Sequence, residues 1–296
     1  MTESPAAPPD RLANFPVSFF AVAMGFAGLA LALRAGEHAL GAGPAVSTLA
    51  LAATAAVFAA VAGLYALKAL RLPGEVAAEW RHPVRIAFFP AASIGLLLIA
   101  TGLAPLAPGT ATGLWLAGAA AQAALTLAVV ASWIGHRAFA HGHLTPAWFI
   151  PAVGNVIVPL AGPELGFPEL SWLFFSAGLV FWIVLLTLVM NRLIFHDPLP
   201  GRLLPTLVIL IAPPAVAFTA WLKLTGEVDA FARILLNSGY VFAAVVLTQV
   251  PKIARLPFAL SWWALSFPVA ALAVASLLFA AETGPAAHRL VALALV

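Results

Sequence analysis

The stretch Pro146-Ala147-Trp148-Phe149-Ile150-Pro151-Ala152-Val153-Gly154-Asn155 decides the fold, because an apolar run that would otherwise continue a helix carries a proline at its centre. Proline removes a backbone donor and its ring clashes with the preceding turn, so a helix containing one is broken or bent there. Working outward, the same arrangement of an apolar or aromatic residue before proline returns at Phe15-Pro16, Phe89-Pro90, Ala212-Pro213-Pro214 and Phe267-Pro268. It falls in every second hydrophobic segment, at steps of 74, 61, 62 and 55 residues, and the intervening segments contain no proline. A period of this kind marks an internal repeat. The repeat unit is a helical hairpin with one kinked and one straight helix, and five copies around an axis place five broken helices beside a central pore.

Composition sets the solvent. Hydrophobic residues make up 63% of the 296-residue chain and charged residues 8%, against about 25% charged in soluble domains. No Asp, Glu, Lys or Arg occurs between residues 86 and 136, enough chain to cross a roughly 30 Å hydrocarbon core twice. Residues 46–67 and 170–190 are apolar on every face rather than alternating, which excludes a transmembrane barrel of short alternating strands. The fold class is therefore an all-α polytopic membrane protein. Cysteine is absent, so disulfide and thiol chemistry are excluded. The net charge of +3 comes from 14 basic residues dispersed between segments, a pattern that orients a membrane protein rather than binding nucleic acid.

Residues 1–13 read as a disordered tail and 14–296 as a single transmembrane domain. Ten spans are expected, near 15–33, 46–69, 84–103, 112–134, 146–162, 169–190, 203–222, 230–250, 257–280 and from 286 on, the last of them short. A cleaved signal peptide is the competing reading of the first, but its basic region would be Arg11 alone. Ten lysines and arginines fall on the side of the amino terminus and four opposite, so the positive-inside rule places both termini in the cytoplasm of an inner-membrane protein.

Small residues cluster at the kinks formed by Pro16, Pro90, Pro151, Pro213, Pro214 and Pro268: Ser18 and Ala21, Ser93, Gly154, Ala215, Ser266 and Ala270. They are the candidate pore lining, and small side chains serve close helix packing equally well. Phe15, Phe89 and Phe267 each precede a kink, where a ring can plug a narrow lumen. All seven histidines and the acidic residues fall in or beside loops, leaving no titratable group at depth for a proton relay, intramembrane hydrolysis or haem. His136, His141 and His143 share an interfacial loop without a supporting carboxylate. No metal, cofactor or catalytic residue is expected. An enzyme would need converging polar groups, and only Gln122, Asn155, Asn191, Asn237, Gln249 and hydroxyls are at hand.

The motifs Phe15-Pro16-Val17-Ser18-Phe19-Phe20, His82-Pro83-Val84-Arg85, Pro146 to Asn155, Ala212-Pro213-Pro214-Ala215, Gly226-Glu227-Val228-Asp229 and Trp263-Ala264-Leu265-Ser266-Phe267 occur in one order over residues 15–280. In that order the chain resembles the TehA and plant slow-anion-channel family. The resemblance implies a homotrimer in which each protomer has its own pore lined by the odd-numbered helices. It also implies a pore gate, a phenylalanine of the ninth helix, which the Trp-Ala-x-Ser-Phe match puts at Phe267. Pro268 directly after it, a short tenth helix and the lack of regulatory tails depart from the family pattern. The expected function is an anion channel passing small monovalent anions such as chloride and nitrate. The alternative implied by bacterial members is a carrier or exporter of C4-dicarboxylate, sulfite or tellurite. The partners are anions and the lipid bilayer.

Overall fold

The computed structural model describes residues 11–135, 139–284 and 286–295, and contains no strand among them. Residues 1–10 of the expected tail lie outside the described residues, and residues 11–14 form a turn. The helices in chain order are α1 (Phe20–Leu40), α2 (Ala45–Arg71), α3 (Pro73–Arg81), α4 (Ala91–Leu103), α5 (Pro108–Ile134) and α6 (Phe149–Val153). They are followed by α7 (Pro168–Phe195), α8 (Ala212–Thr225), α9 (Ala230–Leu247), α10 (Val250–Ile253), α11 (Ser266–Thr283) and α12 (Ala286–Leu295). Among the described residues, eight helical stretches are long and apolar enough to cross a membrane. The fifth segment, Pro146–Leu160, is a shorter apolar helix, and α12 has ten residues.

Contacts sort these elements into two rings. Each kinked segment packs on the straight helix that follows it: α1 on α2, α4 on α5, α6 and the 3₁₀ stretch Gly154–Leu160 on α7, α8 on α9, and α11 on α12. The kinked segments also pack on one another in a closed cycle, from α1 to α4, to Gly154–Leu160, to α8, to α11 and back to α1. Burial separates the rings. The long windows of Val17–Leu40, Arg85–Leu103, Gly201–Thr225 and Leu260–Thr283 are 50, 67, 89 and 50% buried, against 22, 33, 33 and 28% for the helices after the first, third, fifth and seventh segments. The expected arrangement of helical hairpins with the proline-bearing segments inside is observed, while eight stretches rather than the expected ten are long enough to cross a membrane among the described residues.

The kinks are changes of helix type. Each inner segment opens with a 3₁₀ turn, at Val17–Phe19, Arg85–Phe88, Pro146–Trp148, Gly201–Ile211 and Leu260–Leu265. In the third, seventh and ninth segments the α-helix then begins at or next to Pro90, Pro213 and Pro214, or Pro268. Proline fits there because the first-turn N–H groups of an α-helix have no intrahelical partner to lose. Two positions differ from expectation. Pro16 precedes its helix in an extended conformation (φ −83°, ψ 153°) rather than bending it. Pro151 sits inside the five-residue α6, with Pro159 in the 3₁₀ stretch after it, so the fifth segment is irregular along its whole length.

In lipid, freed backbone groups must find partners in protein. For the fifth segment they come from one face of α5. Trp115 donates its indole N–H to the Val158 carbonyl at 2.8 Å, and Gln122 and Thr126 donate to the Pro151 carbonyl at 3.2 and 2.7 Å. Asn155 closes the network by donating to Thr126 Oγ1 and the Ala152 carbonyl. The buried amides that an enzyme reading would recruit are thus used to satisfy a broken helix.

Candidate functional site

The starts of the first, third, seventh and ninth segments surround a vestibule of about 520 Å³. Pro16, Ser18, Ala21, Phe88, Thr206, Ser261 and Ala264 form its wall, and His82, Arg85 and Arg202 supply its charge-bearing groups. No acidic side chain lines it. Arg85 and Arg202 are exposed. His82 accepts the Val84 and Arg85 backbone N–H groups on Nδ1 at 3.2 and 3.3 Å. Desolvation, then the neighbouring Arg85 and His143, hold its pKa below the usual histidine value.

One helical turn beyond Ala264 the inner ring is tightly packed. A cavity of about 30 Å³ is lined by Gly28 and Leu31, Leu98, Leu160, Val216 and Thr219, and Phe267, one or more residues from each of the five inner segments. A second cavity of about 50 Å³, sharing Val216, lies among Ile94, Phe149, Gly154 and Pro213. Neither has a charged side chain in its wall. Thr219 is the one hydroxyl, and its proton goes to the Ala215 carbonyl at 3.3 Å. Phe267 is held from behind by Gly28, where a Cβ would stand 3.1 Å from the ring atom Cδ2.

Beside the vestibule the structure corrects the expectation that acidic residues stay in loops. Residues 73–81 fold as α3, and Glu79 is only 2% exposed. Its Oε2 accepts the Tyr65 hydroxyl at 2.7 Å and the Val17 N–H at 3.3 Å, and its Oε1 pairs with Lys68 at 3.3 Å and Arg85 at 3.5 Å. Lys68, fully buried, also donates to the Phe15 carbonyl at 2.9 Å. One carboxylate therefore ties α2, α3 and the start of the first inner segment to the arginine at the vestibule rim. The signal in the sequence was Glu79 three residues before the His82-Pro83-Val84-Arg85 motif, although nothing in its apolar-poor neighbourhood marks it as buried.

The other singled-out residues fall in different places. Ser18 and Ala21 line the vestibule, Gly154 and Pro213 the 50 Å³ cavity, and Ala270 the 30 Å³ cavity. Ser93 turns toward the outer ring, its hydroxyl 2.7 Å from Gln122 Oε1 and 2.8 Å from the Pro90 carbonyl, two acceptors for its one proton. Ala215 faces Gly239 of α9. Ser266 faces Gly25 and an outer groove. Pro90, Pro151, Pro214 and Pro268 are buried in the walls and line none of the three cavities. His141 stacks on His196 at 4.6 Å, His143 accepts the Ala140 N–H, and His136 lies outside the described residues. His288, expected beside a loop, lies within α12 and hydrogen-bonds the Tyr240 hydroxyl at 2.8 Å. No cluster of three metal-ligating side chains occurs among the described residues.

A ring of broken helices with a basic mouth and an uncharged waist defines a polytopic membrane protein of the channel and transporter class. The chain belongs to the SLAC1 family, described as voltage-dependent anion channel, whose sequence model matches residues 14–296. It is 30% identical over 261 residues to the tellurite resistance protein TehA homolog of Haemophilus influenzae, covering 87% of this chain and 79% of that protein. It is 29% identical over 223 residues to the S-type anion channel SLAH3 of Arabidopsis thaliana, covering 74% of this chain and 35% of the plant protein. An uncharacterized transporter of Methanocaldococcus jannaschii is 27% identical over 284 residues, with 86% and 82% covered. The chain thus spans about a third of the length of that plant channel.

Proposed function

We propose that the protein is a channel for small monovalent anions, chloride and nitrate among them, with Phe267 as the gate of its passage. In this reading it sits in a bacterial inner membrane with ten crossings, both termini cytoplasmic, and assembles as a homotrimer of separate pores. The observation that carries the reading is the 30 Å³ cavity, to which all five inner segments contribute and in which Phe267 is the largest side chain.

The reading puts selection by sign before the waist. Arg85 and Arg202 carry positive charge at the vestibule, and the starts of four inner segments, the first, third, seventh and ninth, open onto the same space with their electropositive amino-terminal ends. Anions concentrate there, and the effect weakens as salt shortens the Debye length. The waist then rejects ions by dehydration, since an apolar constriction gives a hydrated ion no replacement for its water. Rotating Phe267 out of line widens it. A ring leaving its rotamer by about 30° costs on the order of 1 kcal/mol, small enough for a bias in packing to decide the state.

The carrier reading, uptake or export of an oxyanion or C4-dicarboxylate, takes its support from the vestibule volume of about 520 Å³. A carrier that couples to protons or sodium needs a titratable or coordinating group along the passage, and the waist carries only the Thr219 hydroxyl. Anion flux into liposomes with no cation gradient separates the two. Non-saturating chloride and nitrate flux supports the channel; saturable oxyanion uptake that collapses with the proton or sodium gradient refutes it.

A further inference from the structure

Two cationic side chains are buried among the described residues, Lys68 and Arg192, and they are compensated differently. Lys68 is paired with Glu79 at 3.3 Å. Arg192 is 3% exposed, and no carboxylate of the described residues lies within salt-bridge distance of it. Its Nη1 donates to the Asp197 carbonyl, and its Nε is buried without an acceptor. A guanidinium cannot escape the cost of burial by losing its proton. The carboxyl end of α7, in whose last turn Arg192 sits, offsets about half a charge. A water would satisfy the Nε–H but not the charge that remains. An anion does both.

The packing of α7 says where that anion sits. Gly178, Trp182, Leu185, Val189 and Arg192 are buried at steps of three or four residues and so share one face of the helix. A Cβ on Gly162 would meet Ser171, and one on Gly178 would lie 2.6 Å from Val156, so this face lies antiparallel on the fifth segment. Arg192 is about 21 Å of helix beyond Gly178, and Thr145 precedes Val156 by about 20 Å of mixed α and 3₁₀ turns. The two side chains therefore share a level, at the start of the fifth segment. Thr145 is buried, and its hydroxyl is likewise without a partner. Neither residue lines the vestibule, although this segment start packs on Arg85–Phe88 and Gly201–Ile211 beside it. We infer that a small free anion, of the size of a halide or nitrate, binds between the end of α7 and the start of the fifth segment, with Arg192 as its counter-charge and the Thr145 hydroxyl as a second donor. This site does not rest on the channel reading.

The test is thermal unfolding of the full chain in detergent as sodium bromide replaces sodium gluconate at constant ionic strength. Bromide should raise the wild-type Tm by several degrees and saturate, because a ligand of the folded state stabilises by mass action. Arg192→Met removes the charge and keeps an unbranched apolar chain. It should melt at or above wild type in gluconate, where wild type buries an uncompensated charge, and should not respond to bromide. Thr145→Val keeps the charge and should raise the half-saturating bromide concentration about tenfold, which gives a second reading if Arg192→Met does not fold. Asp197→Asn, and Arg85→Gln combined with Arg202→Gln, should keep the bromide response. A wild-type Tm independent of bromide overturns the site, since water or the Asp197 carboxylate then serves Arg192. Loss of the response in the Arg85 and Arg202 double variant with its retention in Arg192→Met also overturns it, because the bromide is then in the vestibule. So does an Arg192→Met variant that melts below wild type by the same amount in both salts, the mark of packing alone. Anomalous scattering from wild-type crystals in bromide should place the ion within hydrogen-bond distance of Arg192 Nε, and a peak at the vestibule arginines alone contradicts the assignment.

Discussion

The vestibule is lined by four of the inner segments and the waist by all five, and the two hold their shape by opposite means. The vestibule is wet and charged, and its wall is anchored by a buried carboxylate bonded to Tyr65, Lys68, Arg85 and the Val17 N–H. The waist is apolar, and Phe267 is positioned only by contact with Gly28 and the side chains around the 30 Å³ cavity. Charge is placed where water can still solvate an ion, and is withdrawn where a fixed charge would trap it. In the proposed reading, sign selection and gating fall at different depths.

The largest effect should come from breaking the anchor. Glu79→Gln leaves Lys68 buried without its counter-charge, and loss of one partner of a buried pair costs about 3–5 kcal/mol. A large fall in thermal stability is expected, and replacing Glu79 and Lys68 together by leucine and methionine should recover much of it. If Glu79→Gln melts like wild type, the vestibule is not held by this pair.

A smaller effect belongs to the waist. Gly28→Ala places a methyl 3.1 Å from the Phe267 ring. Overpacking of this kind costs about 1–3 kcal/mol, and displacement of the ring should raise basal anion current. An unchanged current would show that Gly28 does not seat the gate. Smaller again, Arg85→Gln with Arg202→Gln should lower anion conductance several-fold at low salt, with the difference vanishing near 1 M salt, where the Debye length is about 3 Å. A salt-independent loss would mean that the arginines act by structure rather than by field.

The smallest effect is titration of His82. Its folded pKa is lowered, so the unfolded chain takes up its proton first as pH falls below the ordinary histidine value, and stability declines with acidification. Protonation also removes the Nδ1 acceptor for Val84 and Arg85. His82→Gln should flatten that part of the stability profile. An identical profile in the variant would remove His82 from the account.

The sequence was most legible where one residue type has one structural meaning. Proline in every second hydrophobic segment announced the kinked segments, and the lack of charge between residues 86 and 136 announced the membrane, because both act locally along the chain. Small residues were less legible. Ser18 and Gly154 face the cavities while Ser93, Ala215 and Ser266 face neighbouring helices, since a small side chain is equally suited to a lumen and to close packing. Glu79 was hidden for a different reason. Its burial depends on Lys68, Tyr65 and Arg85 arriving from two other elements, and no local pattern encodes that meeting. Pro16 misled because a proline at the edge of an apolar run reads the same whether it bends a helix or starts one.

The most direct test of the central claim is chloride and nitrate current through planar bilayers for wild type and Phe267→Ala, at equal protein density and without a cation gradient. The account predicts large, ungated anion currents in Phe267→Ala and little or none in wild type. No current in either protein, with saturable oxyanion uptake by the same preparation in liposomes, would contradict it.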